Sequence, residues 1–349
     1  MNGATIGESG TAYGCADLKR VNCCGLSHFT VLIVPLKPSA PGTNLSAPID
    51  QRLVRRFFAV PARVSESNFL RREVSMRMHE RLLLVKIAPE RVLDAGCGEG
   101  ADLLQLQEHF ARAEVLGVDA SPAMLLAARK AQQTAMSSMS RIMKKWLPNK
   151  VSAGLGLGNA LLAGDFAQLP LSPGSVDLVW SNLALHWHPQ PDRVFAEWRR
   201  ILRVDGLLMF SCFGPDTFKE LRTAFAAVDA APHTLPFVDM HDFGDMLVNA
   251  GFATPVMDME NITVTYTSVA KLMADVRSWG GNPLLTRRRG LMGRTDWRRV
   301  VQALEQLRRP DGKIPLSFEV IYGHAFRPLP KVTAAGETII RMDLPSKRR

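Results

Sequence analysis

Three glycines at alternate positions in Arg91-Val-Leu-Asp-Ala-Gly-Cys-Gly-Glu-Gly100, with an aspartate nineteen residues further on at Asp119, have the types and spacing of a nucleotide pocket. Apolar Val92 and Leu93 predict a buried strand. Gly96, Gly98 and Gly100 predict a tight turn that lets the backbone approach a ligand, and Ala101-Asp-Leu-Leu-Gln-Leu-Gln-Glu-His-Phe110 has helical spacing. A dinucleotide site would space its glycines G-x-G-x-x-G and present helix N–H groups to a pyrophosphate; the spacing here is G-x-G-x-G. Asp94 would repel a pyrophosphate but suits a cationic or amino-bearing ligand, and Asp119 is placed to accept hydrogen bonds from ribose hydroxyls. The pattern favours S-adenosylmethionine over NAD, although a glycine turn by itself also serves as a plain strand-to-helix connection. Cys97 needs no chemical role: its small size suits a place between two glycines.

The segments that must position these residues follow in order. Gly164-Asp-Phe-Ala-Gln-Leu-Pro170 and Ser175-Val-Asp-Leu-Val-Trp-Ser-Asn-Leu-Ala-Leu-His-Trp187 fall where third and fourth strands are expected, then comes a helix over Pro191–Arg203 and a strand over Gly206–Phe213. Asp216–Arg222 opens a helix, and Met240–Phe252 is another that ends at a glycine cap. A sixth strand is predicted at Ile262–Tyr266, helices at Val269–Trp279 and Asp296–Arg308, and a last strand at Pro315–Phe326. This order resembles the Rossmann-like α/β fold of class I S-adenosylmethionine-dependent methyltransferases. That resemblance implies a seven-stranded, mostly parallel sheet with its last strand antiparallel, and a helical lid.

Length and composition bound the organisation. With 349 residues the chain can hold one large domain or two small ones, and 46% hydrophobic content is ample for a core. Residues 1–50, rich in Gly, Ser, Pro and Thr, read as a disordered tail; their one apolar run, Phe29–Val34, is too short to span a membrane and follows Glu8 and Asp17, unlike a signal peptide. Residues 51–88 read as a helical arm over the cofactor pocket, with an apolar stripe from Phe57, Phe58, Phe69, Leu70, Val74, Met78, Leu82 and Val85. The methyltransferase domain is expected over 89–330, with a surface insertion at 132–158 and a helical lid at 267–312, before a basic tail at 331–349. Glycines in Ala153-Gly-Leu-Gly-Leu-Gly158 lack the strand and the Lys-Ser or Lys-Thr of a phosphate loop and read as a linker. Five cysteines with no metal or disulfide pattern suggest a reducing compartment, the cytoplasm. The net charge of +10 gathers in arginine clusters at Arg52, Arg55 and Arg56, at Arg71 and Arg72, and from Arg287 to Arg309. These are either solvated helix faces or a surface for an acidic partner; with no aromatic-interleaved basic motif, nucleic acid is not expected.

From Arg91 to Phe326 the chain resembles the biotin-pathway malonyl-acyl-carrier-protein O-methyltransferases, most specifically in Trp180-Ser-Asn-Leu-Ala-Leu-His-Trp187, Ala226-Ala-Val-Asp-Ala-Ala-Pro-His233 and Pro315-Leu-Ser-Phe-Glu-Val-Ile-Tyr-Gly323. The resemblance implies methylation of the free carboxylate of a malonyl thioester, carried on acyl-carrier protein or coenzyme A. The family often has a tyrosine in the arm, and Pro61-Ala-Arg-Val-Ser-Glu66 has none. Phe69-Leu-Arg-Arg-Glu-Val74 and Gly214-Pro-Asp-Thr-Phe-Lys-Glu-Leu-Arg222 also look like respiratory complex I assembly proteins of the same fold, associated with arginine hydroxylation. Methylation of another small molecule, such as a quinone precursor, is the third reading.

Under the methyltransferase resemblance, Asp94, Gly96, Gly98, Asp119 and Ala120 are expected to hold the cofactor, Asp165 and Phe166 to flank its adenine, and Asn182 to position it or its loop. His186 and Trp187 follow the fourth strand, where ligands collect, and are expected at the reaction site. For His186 both substrate orientation and packing or helix capping stay open. Arg222 is either the receiver of the malonyl carboxylate or a surface helix arginine. A carboxylate is already ionised at neutral pH, so the chemistry demands orientation rather than a general base.

Overall fold

The computed structural model describes residues 47–65, 67–135 and 160–330, together with the strand pairing of 19–20 and 32–33. Seven strands carry the fold: β3 (Arg91–Ala95), β4 (Glu114–Asp119), β5 (Ala160–Ala163), β6 (Val176–Ser181), β7 (Leu202–Phe213), β8 (Ala253–Tyr266) and β9 (Ile314–Phe326). Two short strands, β1 (Lys19–Arg20) and β2 (Leu32–Ile33), extend one edge, giving the order β1-β2-β5-β4-β3-β6-β7-β9-β8. Pairing from β2 through to β7 is parallel, and β9 runs antiparallel to both β7 and β8. The expected seven-stranded sheet with an antiparallel last strand is therefore present.

Alternation along the central strands sends side chains to two cores. On β7, Leu207, Met209 and Phe213 join one, and Leu208, Phe210 and Cys212 join the other. The first core is covered by α3 (Asn68–Leu82), α4 (Ala101–His109), α7 (Lys219–Ala226), α9 (Val269–Ser278) and α10 (Arg294–Glu305), the second by α6 (Pro191–Ile201) and α8 (Met240–Asn249). The remaining helices are α1 (Gln51–Phe58), α2 (Pro61–Ser65) and α5 (Pro122–Ala135). Asp50 caps α1 by accepting from Arg52 N at 2.9 Å, and Ser268 caps α9 by accepting from Lys271 N.

Several boundaries differ from those the sequence predicts, for local reasons. The third strand is Ala160–Ala163, and Gly164–Pro170 forms the loop beyond it. Helix α5 continues to Ala135, so the predicted insertion at 132 starts inside a helix; its remainder, from 136, lies outside the described residues, as do most of the predicted tail 1–50 and the segment 331–349. Strand β8 begins at Ala253, where Pro255 sits at a register shift that tolerates its missing N–H. Among the described residues no helix is long and apolar enough to cross a membrane.

The arm is fastened to the domain along its length. Residues 47–50 pair with the segment after α9, through Asp50 N to Pro283 O and Leu285 N to Pro48 O, both at 2.8 Å. Gln51 donates to Trp187 O at 3.0 Å, and Ser121 Oγ to Phe58 O at 2.8 Å. Further along, Arg77 and Arg81 of α3 pair with Glu260 of β8, Arg81 at 2.8 Å, and Arg81 lies 4.0 Å over the Tyr322 ring.

Candidate active site

Strands β4 and β5 lie on one side of β3, and β6 and β7 on the other, so the chain order reverses between β3 and β6. Their outgoing loops diverge there, which opens a crevice at the carboxyl ends of the strands. Ser181 Oγ donates to Ala95 O at 2.8 Å and holds the two strand ends together. Above them lies a cavity of about 770 Å³, walled by the glycine turn, the loops after β4, β5 and β6, and all three arm helices.

Gly96, Gly98 and Gly100 all have positive φ, at 85°, 52° and 77°. A Cβ at Gly96 would overlap the Ala184 side chain, whereas at Gly98 nothing lies within 4 Å, so that turn presents bare backbone to the cavity. Asp119 lines the same space. Its Oδ2 accepts from Gly98 N at 3.0 Å and its Oδ1 from Ser121 N at 2.7 Å. Burial raises its carboxyl to about 6, against the lowering effect of those two N–H donors. Ala120, Asp165, Phe166 and Asn182 also line the cavity. Phe166 packs between His188 and Trp198, and Asp165 accepts from Ala167 N at 2.9 Å. Asn182 is fully engaged: it donates to Asp102 Oδ2 at 3.0 Å and to Arg71 O at 3.2 Å, and accepts from Ser211 Oγ at 3.0 Å. Its position supports a loop-setting role.

Three expected site residues lie elsewhere. Asp94 pairs in register with Gly117 and Trp180 and is buried behind the turn, off the cavity wall, with Oδ2 lacking a hydrogen-bond partner among the described residues. Burial, with Asp102 and Asp119 nearby, pushes its carboxyl well above the usual range. His186 and Trp187 part company because Leu185–Trp187 is a 3-10 turn, which rotates successive side chains by about 120°. Trp187 faces the cavity and His186 does not; the His186 ring packs on Phe213 and Phe237, and its buried ring nitrogens have no partner among the described residues. Burial, then the charge of Arg71, depress it to about 3, so it stays neutral. Arg222 is spent on loop carbonyls, those of Thr217 and Pro215. Phe218 takes φ 62°, so α7 starts at Lys219 rather than at Asp216 and Arg222 folds back over the preceding loop.

Other cavity residues were not singled out by the sequence. From the arm come Arg55, Asn68, Arg71, Arg72 and Ser75; from the domain come Glu99, Asp102, Leu183 and His188. The adjacent arginines of Phe69-Leu-Arg-Arg-Glu-Val74 are the one sequence signal that could have singled out Arg71. The Cys97 thiol, pushed up by burial, remains protonated and offers no nucleophile.

The donor set fits S-adenosylmethionine. Glu99, Asp102 and Asp119 line the floor, a concentration of carboxylates that favours a sulfonium and an amino group over a pyrophosphate. The bare backbone at Gly98 lets such a ligand approach closely.

Comparison with known proteins agrees with this geometry. Residues 93–210 match the family described as "Methyltransferase domain". The chain is similar to the malonyl-[acyl-carrier protein] O-methyltransferase of Laribacter hongkongensis, at 47% identity over 80% of this chain and 90% of that protein. It is likewise 44% identical to the one from Gallionella capsiferriformans, over 84% of this chain and 96% of the relative. Among solved structures, the [4+2]-cyclase SpnF superposes with a TM-score of 0.50 at 16% identity, covering 82% of this chain and all of that one, which speaks for the fold alone. Near-complete coverage at this identity means that the chain belongs to the malonyl-[acyl-carrier protein] O-methyltransferase family, whose methyl donor is S-adenosylmethionine.

Proposed function

We propose that the protein methylates the free carboxylate of a malonyl thioester, carried on acyl-carrier protein, to give the mono-methyl ester used early in biotin synthesis. The observation that carries this reading is the charge layout of one cavity: carboxylates on the floor from the glycine turn and β4, and arginines Arg55, Arg71 and Arg72 on the arm side. That layout suits a cationic methyl donor beneath an anionic acceptor. When bound, S-adenosylmethionine supplies a methyl group activated by its sulfonium. The residues of this chain would align an acceptor oxygen in line with that methyl, and because a carboxylate is already ionised they need supply no general base. Phe58, Leu183 and Trp187 shield the space from water, which strengthens attraction between the opposite charges. Asp119 is assigned to the ribose hydroxyls, with Gly96, Gly98 and Ala120 supplying backbone, and Asp165 and Phe166 to the adenine side. The test is growth without biotin of a strain lacking its own malonyl methyltransferase. Rescue by this chain supports the reading, and no growth despite folded protein contradicts it.

The carrier protein is assigned to the arm rather than to the arginines of 287–309. Arg52, Arg56 and Arg63 are exposed beside the cavity-lining Arg55 and Arg72, whereas Arg288 is held by Asp229 at 2.7 Å and Arg287 by Leu284 O at 2.8 Å. Reversing the charges of Arg52, Arg56 and Arg63 should lower kcat/KM for the carrier-linked substrate by about tenfold at low salt and flatten its salt dependence. The coenzyme A thioester should be affected less, and reversal of Arg298 and Arg299 should do little. Equal salt slopes for wild type and the arm variant would remove this surface. We place the reaction in the cytoplasm, a reading supported by buried, unpaired Cys97 and Cys212.

A further inference from the structure

We propose that Arg71, from the arm helix α3, is the residue that grips the acceptor carboxylate; the inference rests on the carboxyl-methylation reading and names the group that recognises the substrate. Arg71 is placed with unusual care. Arg77 and Arg81, on the same helix, are tied to β8, and Asn182 donates to the Arg71 carbonyl at 3.2 Å, so its backbone is fixed against the loop after β6. The side chain is fixed as well. Nη1 donates to Val64 O at 3.2 Å, Ser67 Oγ at 3.3 Å and Asn68 Oδ1 at 3.1 Å.

That leaves the other edge of the guanidinium. Among the described residues, neither Nε nor Nη2 has an acceptor and no carboxylate forms an ion pair with Arg71. Glu99, which accepts from Asn68 Nδ2 at 3.1 Å, lies near enough for its charge to favour the charged guanidinium, but it forms no ion pair with Arg71. Behind Arg71, His186 is neutral, and Leu183, Trp187 and Phe213 line the space on that side. Burial pulls the guanidinium down to about 10, against the opposing charge of Glu99, so it stays charged at neutral pH without a carboxylate in direct contact among the described residues. A sheltered cation with two free donors on one edge costs stability unless a ligand supplies the anion. The Nε/Nη2 edge matches the two oxygens of a carboxylate.

Each carboxylate oxygen held this way keeps a lone pair for attack on the methyl. Methylation then removes the charge that Arg71 holds, so the ester product binds more weakly than the substrate and leaves. An acetyl thioester, lacking the carboxylate, gains nothing from Arg71. Recognition and release thus follow from one contact.

The test is calorimetry of malonyl-CoA and acetyl-CoA binding to the S-adenosylhomocysteine complex of wild type, Arg71→Met and Arg71→Lys. Wild type should prefer the malonyl thioester. Arg71→Met should weaken malonyl-CoA at least about 30-fold, the loss expected for hydrogen bonds to a charged group, with acetyl-CoA unchanged. Arg71→Lys should recover part of the preference by restoring charge without the fork. S-adenosylhomocysteine affinity within about twofold of wild type in both variants reports an intact fold. If wild type prefers malonyl and Arg71→Met keeps that preference, or loses both thioesters equally, Arg71 is not the receiver. If wild type itself does not distinguish malonyl from acetyl, the carboxyl-methylation reading falls and takes this assignment with it.

Discussion

Alanine at Gly96 is expected to lower kcat/KM by about 100-fold or more while the chain still folds. Two costs coincide there. Gly96 sits at φ 85°, where a Cβ costs roughly 1–2 kcal/mol. That Cβ would also overlap Ala184, the residue before the turn that carries Trp187. The overlap can be relieved only by moving the glycine turn or the 183–187 loop, and both are walls of the cavity. A displacement of about 1 Å in positioning residues can cost about 100-fold in rate. Steady-state kinetics beside a thermal melt separates the two costs: wild-type kcat/KM in Gly96→Ala would show that the contact between turn and loop does not set the site.

Asp119→Ala is expected to weaken cofactor binding by about 1.5–3 kcal/mol, roughly 10- to 150-fold, through loss of a charged acceptor for ribose hydroxyls. The same assignment fixes a pH dependence. The Asp119 carboxyl is raised to about 6 in the free protein, and hydroxyl donors favour its ionised form. Affinity for S-adenosylhomocysteine should therefore rise as pH increases through about 6, level off above about 7, and be flat across that range in Asp119→Asn. Calorimetry from about pH 5 to about pH 8 reads both effects. A flat wild-type profile, or unchanged affinity in Asp119→Ala, would take Asp119 out of the ribose role.

What could be read from the sequence was what is encoded locally. The strand, the alternating glycines and Asp119 lie within thirty residues of one another, and the turn they form is legible from that stretch, whereas the close approach of Ala184 to Gly96 is not. The sheet was legible because each strand carries its own apolar run and the later helices their own periodicity. Arg71 was not legible as a site residue: it reads as half of a basic pair, and only the packing of α3 across the strand ends shelters it while leaving Arg72 exposed. His186, like Trp187, reads as a site residue because it follows the fourth strand, but the phase of the three-residue turn sends the two side chains apart and only Trp187 reaches the cavity. Arg222 depended on where α7 begins, and the left-handed Phe218 that delays it has no signature in residue type. Asp94 reads as a ligand contact by its place in the motif, whereas it lies within β3, buried and off the cavity wall.

The central claim, that the acceptor is the free carboxylate of a malonyl thioester, is tested most directly by mass spectrometry of malonyl-acyl-carrier protein after incubation with the purified protein and S-adenosylmethionine. The account predicts that the malonyl group gains the mass of one methylene, that the gain is reversed by ester hydrolysis with the thioester intact at the start, and that acetyl-acyl-carrier protein gains nothing. An unchanged malonyl group under conditions where S-adenosylmethionine binds, or a gain in mass of one oxygen on a protein substrate instead, would contradict it.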